Sequence, residues 1–181
     1  MIILGIDPGS QQTGYGIVDT DHRVRAYGVL AVAGDHALRI QSIYREVTRL
    51  IGQHKPNVCA IEMPVYGNNP QAMLKLGRAQ AAAMLAALNH RISVVQYTPK
   101  MVKRAVTGNG NASKQQVTYM VKSLLEFGRL GTELTHDASD ALAVALCHSH
   151  READGITGVK VHRDWASFLK SNPDRIAPAQ S

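Results

Sequence analysis

Cysteine is scarce in this 181-residue sequence, with only Cys59 and Cys147 present. Two thiols cannot build a disulfide scaffold, and each lies in an apolar pattern, so both are expected to be reduced and packed. Long hydrophobic runs are absent too: no stretch approaches the roughly 20 apolar residues of a membrane span. Met1 leads straight into a strand-like run without the basic segment and small-residue cleavage site of a secretory signal, so a soluble, cytoplasmic protein is expected. Aromatic residues make up 5% and charged residues 19% of the chain against 45% apolar, the balance of one ordinary globular domain. One absence is local. From Met63 to Leu125 there is no Asp or Glu, whereas Lys75, Arg78, Arg91, Lys100, Lys103, Arg104, Lys114 and Lys122 all fall inside. At average acidic content such a stretch would hold roughly five acids. Together with a net charge of +6, this basic surface favours nucleic acid as partner.

What is present reads as alternating strands and helices. Ile2 to Ile6 is a short apolar run ended by Asp7-Pro8-Gly9, and Gly14 to Val18 and Val24 to Val32 read as two further strands joined by a hairpin or meander. Ile40, Ile43, Tyr44, Val47, Leu50 and Ile51 recur at helical spacing, which predicts an amphipathic helix from about Leu38. Val58 to Ile61 fits a central strand covered on both faces and ends in Glu62. Ala-rich Pro70 to Leu88 predicts a long helix. Its small residues Gly77, Ala79, Ala83 and Ala87 suit either the domain core or a dimer seam. Ile92 to Tyr97 reads as a fifth strand, and Pro99 opens a short helix to Val106. Ser113 and Gln116 have capping-box spacing ahead of an apolar stripe, and a final helix spans about His136 to His148. The sum is an α/β domain with a mixed five-stranded sheet flanked by helices over residues 1–150. Residues 151–181 form a polar C-terminal extension, in which Trp165, Phe168 and Leu169 fit one face of a short helix before a loose tail.

Four carboxylates occupy positions where such a fold gathers side chains. Asp7 and Glu62 end two strands, and residues beyond the carboxyl ends of neighbouring parallel strands share a crevice. Asp137 and Asp140 are three apart at the start of the last helix and so share a face. Two carboxylates about 4 Å apart repel by roughly 4 kcal/mol at an effective dielectric of 20. A cluster of four must therefore take up protons or bind cations. An all-oxygen site suits Mg²⁺ or Mn²⁺, two of which balance four negative charges, and a two-metal carboxylate site beside a basic surface suits phosphodiester hydrolysis.

Gly5-Ile6-Asp7-Pro8-Gly9-Ser10 with Thr13-Gly14-Tyr15-Gly16, Ala60-Ile61-Glu62, Leu74-Lys75-Leu76-Gly77-Arg78-Ala79-Gln80, Gly108-Asn109-Gly110-Asn111-Ala112-Ser113-Lys114 and Asp137-Ala138-Ser139-Asp140-Ala141-Leu142 together closely resemble the RuvC family of Holliday-junction resolvases. The resemblance covers about residues 1–150. It implies an RNase H-like fold, a homodimer with two active sites, and Mg²⁺-dependent paired nicking of the like-polarity strands of a four-way DNA junction in recombination and repair. It also implies the branch-migration complex RuvAB as partner. The family's catalytic, metal-holding carboxylates carry over to Asp7, Glu62, Asp137 and Asp140, and its DNA-contacting lysines to Lys103 and Lys114. Lys75 and Arg78, three apart on the long helix, are further phosphate candidates. Many family members carry an aromatic three residues after the catalytic Glu, where this chain has Val65. Tyr66 follows in a turn-rich stretch and either stacks on a base or packs over its own loop.

His136 adjoins Asp137 and is either an assistant to the site's water chemistry or an exposed residue at a helix start. His148 and His150 have H-x-H spacing, but at a helix end they read as charge partners of its last carbonyls. Three other readings share parts of the pattern. Asp7-Pro8-Gly9 before Gly14 also resembles the first phosphate loop of actin-like and sugar-kinase ATPases, which need a second lobe and a second Gly-rich loop that this length does not hold. Another RNase H-like nuclease, acting on RNA or linear duplex, shares the metal cluster. A non-catalytic junction binder gains nothing from four acids facing phosphates.

Overall fold

A computed structural model of the chain describes residues 1–9, 11–32, 34–64, 69–131 and 133–153. Five strands and five helices follow one another as β1 (Ile2–Asp7), β2 (Gly14–Asp19), β3 (Val24–Val29), α1 (His36–His54), β4 (Val58–Glu62), α2 (Pro70–Asn89), β5 (Ser93–Tyr97), α3 (Pro99–Thr107), α4 (Lys114–Leu124) and α5 (His136–Ala153). The strands form one sheet in the order β3-β2-β1-β4-β5. β1, β2 and β3 pair antiparallel, and β4 and β5 extend β1 in parallel, so the sheet is mixed as expected.

Alternation along the strands sorts side chains to two cores. Leu4, Ile6, Cys59 and Ile61 point to one face, where α1 and α2 cover them. Ile3, Val58 and Ala60 point to the other, against α3, α4 and α5. The Ala-rich stripe of α2 belongs to the first core: Ala79, Ala82, Ala83, Ala86 and Ala87 are buried, which lets α2 lie close to α1 and the sheet. Both cysteines are free and fully buried, and burial is the main cause that pushes each thiol up to about 12, far from a reactive thiolate.

Helix starts follow local chemistry. The Asp35 carboxylate accepts the Leu38 N–H, Asn69 accepts the Ala72 N–H ahead of Pro70, and Thr98 accepts the Met101 N–H ahead of Pro99. At α4 the capping box closes both ways: Ser113 Oγ accepts the Gln116 N–H at 3.2 Å, and Gln116 Oε1 accepts the Ser113 N–H at 2.8 Å.

Two boundaries differ from the sequence reading. β3 stops at Val29 instead of Val32, because the partner strand runs out: the Leu30 N–H still reaches the Thr13 carbonyl at 2.9 Å, but β2 begins at Gly14. α5 runs on to Ala153, so His148 is not a helix-end residue. It is buried, with Nδ1 hydrogen-bonded to the Tyr97 hydroxyl at 2.7 Å, while His150 Nδ1 donates to the Ala105 carbonyl at 3.1 Å. These bonds tie α5 to β5 and α3, and tertiary packing carries the helix past its expected end. The short helix and tail expected after His150 and the Tyr66 loop lie outside the described residues.

Candidate active site

The alternation that fills the cores also aims the two strand-end acids. Ile6 pairs with Ile61 in register, so Asp7 and Glu62 end β1 and β4 side by side. Both follow residues facing α1 and α2, so both project to the opposite face, toward α5.

Glycines decide how near α5 comes. A Cβ on Gly5 would collide with the Ala141 carbonyl oxygen and stand 2.9 Å from the Ala145 nitrogen. One on Gly16 would stand 2.7 Å from a Leu142 methyl, and one on Gly14 would strike the Asp137 carbonyl. Removing three side chains from β1 and β2 thus lets the backbone of α5 rest on the sheet. Its first turn then hangs over the ends of β1 and β4. Thr135 starts that turn, its hydroxyl accepting the Ala138 N–H at 3.3 Å and its carbonyl the Ser139 N–H at 3.0 Å.

The result is one electrostatic cluster. The Asp7 carboxyl is pushed up to about 7, mainly by burial and then by the charges of Asp140 and Asp137, with Lys114 opposing. The Glu62 carboxyl rises to about 8, again mainly by burial, then by Asp7 and Asp140, with Lys114 and Lys103 opposing. Asp7 therefore feels Asp137 and Asp140, Glu62 feels Asp7 and Asp140, and Lys114 acts on both strand-end acids and Lys103 on Glu62. Lys114 touches it: Nζ donates to Asp140 Oδ2 at 3.1 Å, and that bond leads the causes that raise the lysine's own pKa. Lys103 is half-buried on α3.

Among the described residues, no three carboxylate, imidazole or thiolate groups are drawn together into a finished metal cage. The donor chemistry nevertheless fits a hard divalent cation. All the acids offer oxygen, and two of them are held near neutrality by buried, uncompensated charge that a cation would relieve.

The other candidates divide. Lys75 and Arg78 are exposed on α2 and do not figure in the electrostatics of the acids. Lys75 instead edges a small pocket with Gly9, Gln11, His36 and Arg39 beside the β1–β2 turn. His136 is exposed as the first residue of α5. Three features escaped the sequence reading. The Lys114–Asp140 ion pair is one, and the link from Ser139 Oγ to Thr118 Oγ1 at 3.0 Å, which pins α4 to α5, is another. Neither leaves a local signal, since 26 and 21 residues separate the partners. The third is the positioning role of Gly5, Gly14 and Gly16, which does have a signal: isolated glycines inside strand patterns mark close backbone approach.

Comparisons with known proteins bear on this arrangement. The family model described as "Crossover junction endodeoxyribonuclease RuvC" matches residues 3–148. The crossover junction endodeoxyribonuclease RuvC of Salinibacter ruber is 54% identical over 98% of this chain and 99% of its own length, and that of Cytophaga hutchinsonii is 41% identical over 97% and 88%. The solved structure of T. thermophilus RuvC in complex with a Holliday junction substrate superposes with a TM-score of 0.79 at 28% identity, covering 86% of this chain and 97% of that one. The mixed five-stranded sheet flanked by helices is the RNase H-like fold of these neighbours. With the family model matching residues 3–148 and a relative 54% identical over nearly its whole length, this chain belongs to the RuvC family of crossover junction endodeoxyribonucleases.

Proposed function

We propose that this chain resolves four-way DNA junctions by paired, Mg²⁺-dependent nicks in strands of like polarity, in recombination and DNA repair. The observation that carries this reading is the convergence of Asp7, Glu62, Asp137 and Asp140, with Lys103 and Lys114 beside them, in a member of a family whose T. thermophilus representative is solved with a Holliday junction.

Asp7, Glu62, Asp137 and Asp140 would hold the cation, Mg²⁺ or Mn²⁺ and two ions per site. When bound, such ions supply a water nucleophile and stabilisation of the attacking and leaving oxygens. The chain's own part is placement. β1 and β4 fix Asp7 and Glu62 at the carboxyl ends of two inner strands, and α5 brings the other two acids down on them. Burial raises the cost of leaving Asp7 and Glu62 bare, which favours cation uptake. Lys114 keeps one donor on Asp140, and its other ammonium protons remain for a phosphate oxygen. Lys103, Lys75 and Arg78 extend the acid-free surface along which the DNA backbone would run. Tyr66 would stack on a base at the opened crossover in place of the aromatic absent at position 65.

The working form would be a homodimer. Leu74, Leu85 and Leu88 lie on one side of α2 and are each more than half exposed, an apolar face suited to a second copy. RuvAB would deliver the junction, in the cytoplasm. Among the described residues no helix is long and apolar enough to cross a membrane.

The deciding experiment incubates the protein with a synthetic four-way junction, linear duplex and RNA–DNA hybrid, with and without Mg²⁺. Paired nicks confined to the junction in Mg²⁺ are expected. Equal cutting of linear duplex would falsify junction selectivity, and cutting in chelator would remove the metal.

A further inference from the structure

On the side of α4 away from the carboxylates, the loop after α3 and the first turns of α4 enclose an open cleft of about 380 Å³, within the size range of small-ligand sites. It is lined by Thr107, Asn109, Ala112, Gln115, Gln116, Tyr119 and Met120. The floor is apolar, with Ala112 buried and Met120 half-buried. Tyr119 stands over it 71% exposed, the most exposed large apolar side chain among the described residues.

Two of the rim's amides are oriented by the backbone. Asn109 Oδ1 accepts the Asn111 N–H at 3.0 Å, and Gln116 Oε1 accepts the Ser113 N–H at 2.8 Å. Each amide thus has its oxygen committed to the backbone, leaving the NH₂ group to face outward. Neither nitrogen has a protein acceptor among the described residues. The Thr107 hydroxyl is already used, donating to the Lys103 carbonyl at 2.8 Å and accepting the Asn109 N–H at 3.1 Å. What the cleft offers a ligand is two oriented amide donors, the exposed amide of Gln115, an aromatic face and an apolar floor.

A matching ligand has flat apolar faces, acceptors along its edge and negative charge close by, since the surrounding 63–125 stretch has no acid. A nucleotide has all three. Lys114, which donates to Asp140 at 3.1 Å, stands in the first turn of the same helix, so the cleft and the carboxylates share α4 as a neighbour.

We propose that the α3–α4 cleft is a nucleobase subsite, in which a base flanking the cut stacks on Tyr119 and accepts hydrogen bonds from Asn109 Nδ2 and Gln116 Nε2. The proposal rests on the junction-binding reading above and adds a base-stacking site to it. Every base presents edge acceptors to the two donors, ring carbonyls or, in adenine, ring nitrogens.

The test uses the full-length protein and four-way junctions carrying 5-iodouracil at successive positions around the crossover, without divalent metal. One flanking position is expected to cross-link to Tyr119, identified by peptide mass. Tyr119→Ala should weaken junction binding roughly 5- to 100-fold, the range of one base–aromatic stack. The salt dependence should stay unchanged, because no phosphate contact is lost. Tyr119→Phe should keep wild-type affinity. At such exposure neither substitution threatens the fold, and circular dichroism checks this. Wild-type binding by Tyr119→Ala on every sequence, or a salt slope lowered by about 0.9, overturns the subsite. Failure of the junction reading looks different: the wild-type protein would then bind four-way and linear DNA alike, whereas a Tyr119 cross-link to linear DNA would still support the cleft.

Discussion

The two faces of the sheet are built from the same strands to opposite ends. Toward α1 and α2, β1 and β4 present Leu4, Ile6, Cys59 and Ile61, and the partner helix supplies alanines, so large strand side chains fill the gap. Toward α5, β1 and β2 present Gly5, Gly14 and Gly16, and the helix backbone itself fills the gap. The first face buries apolar area, at about 25 cal/mol per Å². The second gives up side-chain volume to set a helix terminus over two strand ends. Both faces bury an apolar core, and the second also sets position.

The largest expected effect falls on the positional face. Asp7→Asn should lower cleavage by at least about 10³-fold with junction binding retained in a mobility-shift assay, and loss of binding would make Asp7 structural. The same variant should be more stable than wild type in metal-free buffer near pH 8. A carboxyl held at about 7 in the folded chain but near 4 in the unfolded one loses folding free energy as pH rises between these values. Asparagine removes that loss, by about 1–3 kcal/mol, and an unchanged or lower melting temperature would contradict the burial argument.

Leu4→Ala probes the opposite face. It should cost about 2–5 kcal/mol in urea unfolding, yet leave cleavage per folded molecule unchanged. Gly5→Ala should show the reverse balance, about 1–3 kcal/mol of overpacking with a disproportionate fall in cleavage as α5 is pushed off the strand ends. If both variants lost activity only in proportion to folded protein, the contrast between the faces would collapse.

Lys114→Ala should leave stability nearly unaltered, since the ammonium end is largely exposed, but lower the salt slope of junction binding by about 0.9. An unchanged slope would confine Lys114 to its bond with Asp140. The smallest effect concerns His148, whose imidazole burial holds below its usual range, against a weaker opposing pull from Glu152. Below about pH 6.5 the unfolded chain takes up a proton there that the folded chain resists, so this residue's contribution to stability falls as pH drops. His148→Gln should therefore cost more stability near pH 7.5 than near pH 5.5. Equal costs would mean that His148 titrates normally, despite its bond to Tyr97.

Local chemistry made much of this visible in advance. The Ser113–Gln116 capping box, the Pro at the start of α2 and α3, and the period-2 and helical apolar patterns mark elements because their physics is confined to a few neighbours. The four acids were legible as a site because strand ends and a helix start are places that topology gathers. Long-range partners were not legible. His148 reads as a helix-end charge until Tyr97, 51 residues away, is seen to bury it. Val32 reads as strand until β2 runs out beside it.

The sequence by itself determined the order of elements, the acid-free basic stretch and the four carboxylates, since each depends on residue type and near spacing. Only the tertiary structure decided that Lys114 grips Asp140, that α2's alanines serve the core, and that three glycines bring α5 onto the sheet. Those outcomes depend on which surfaces meet, and excluded volume between segments far apart in the chain is what settles that.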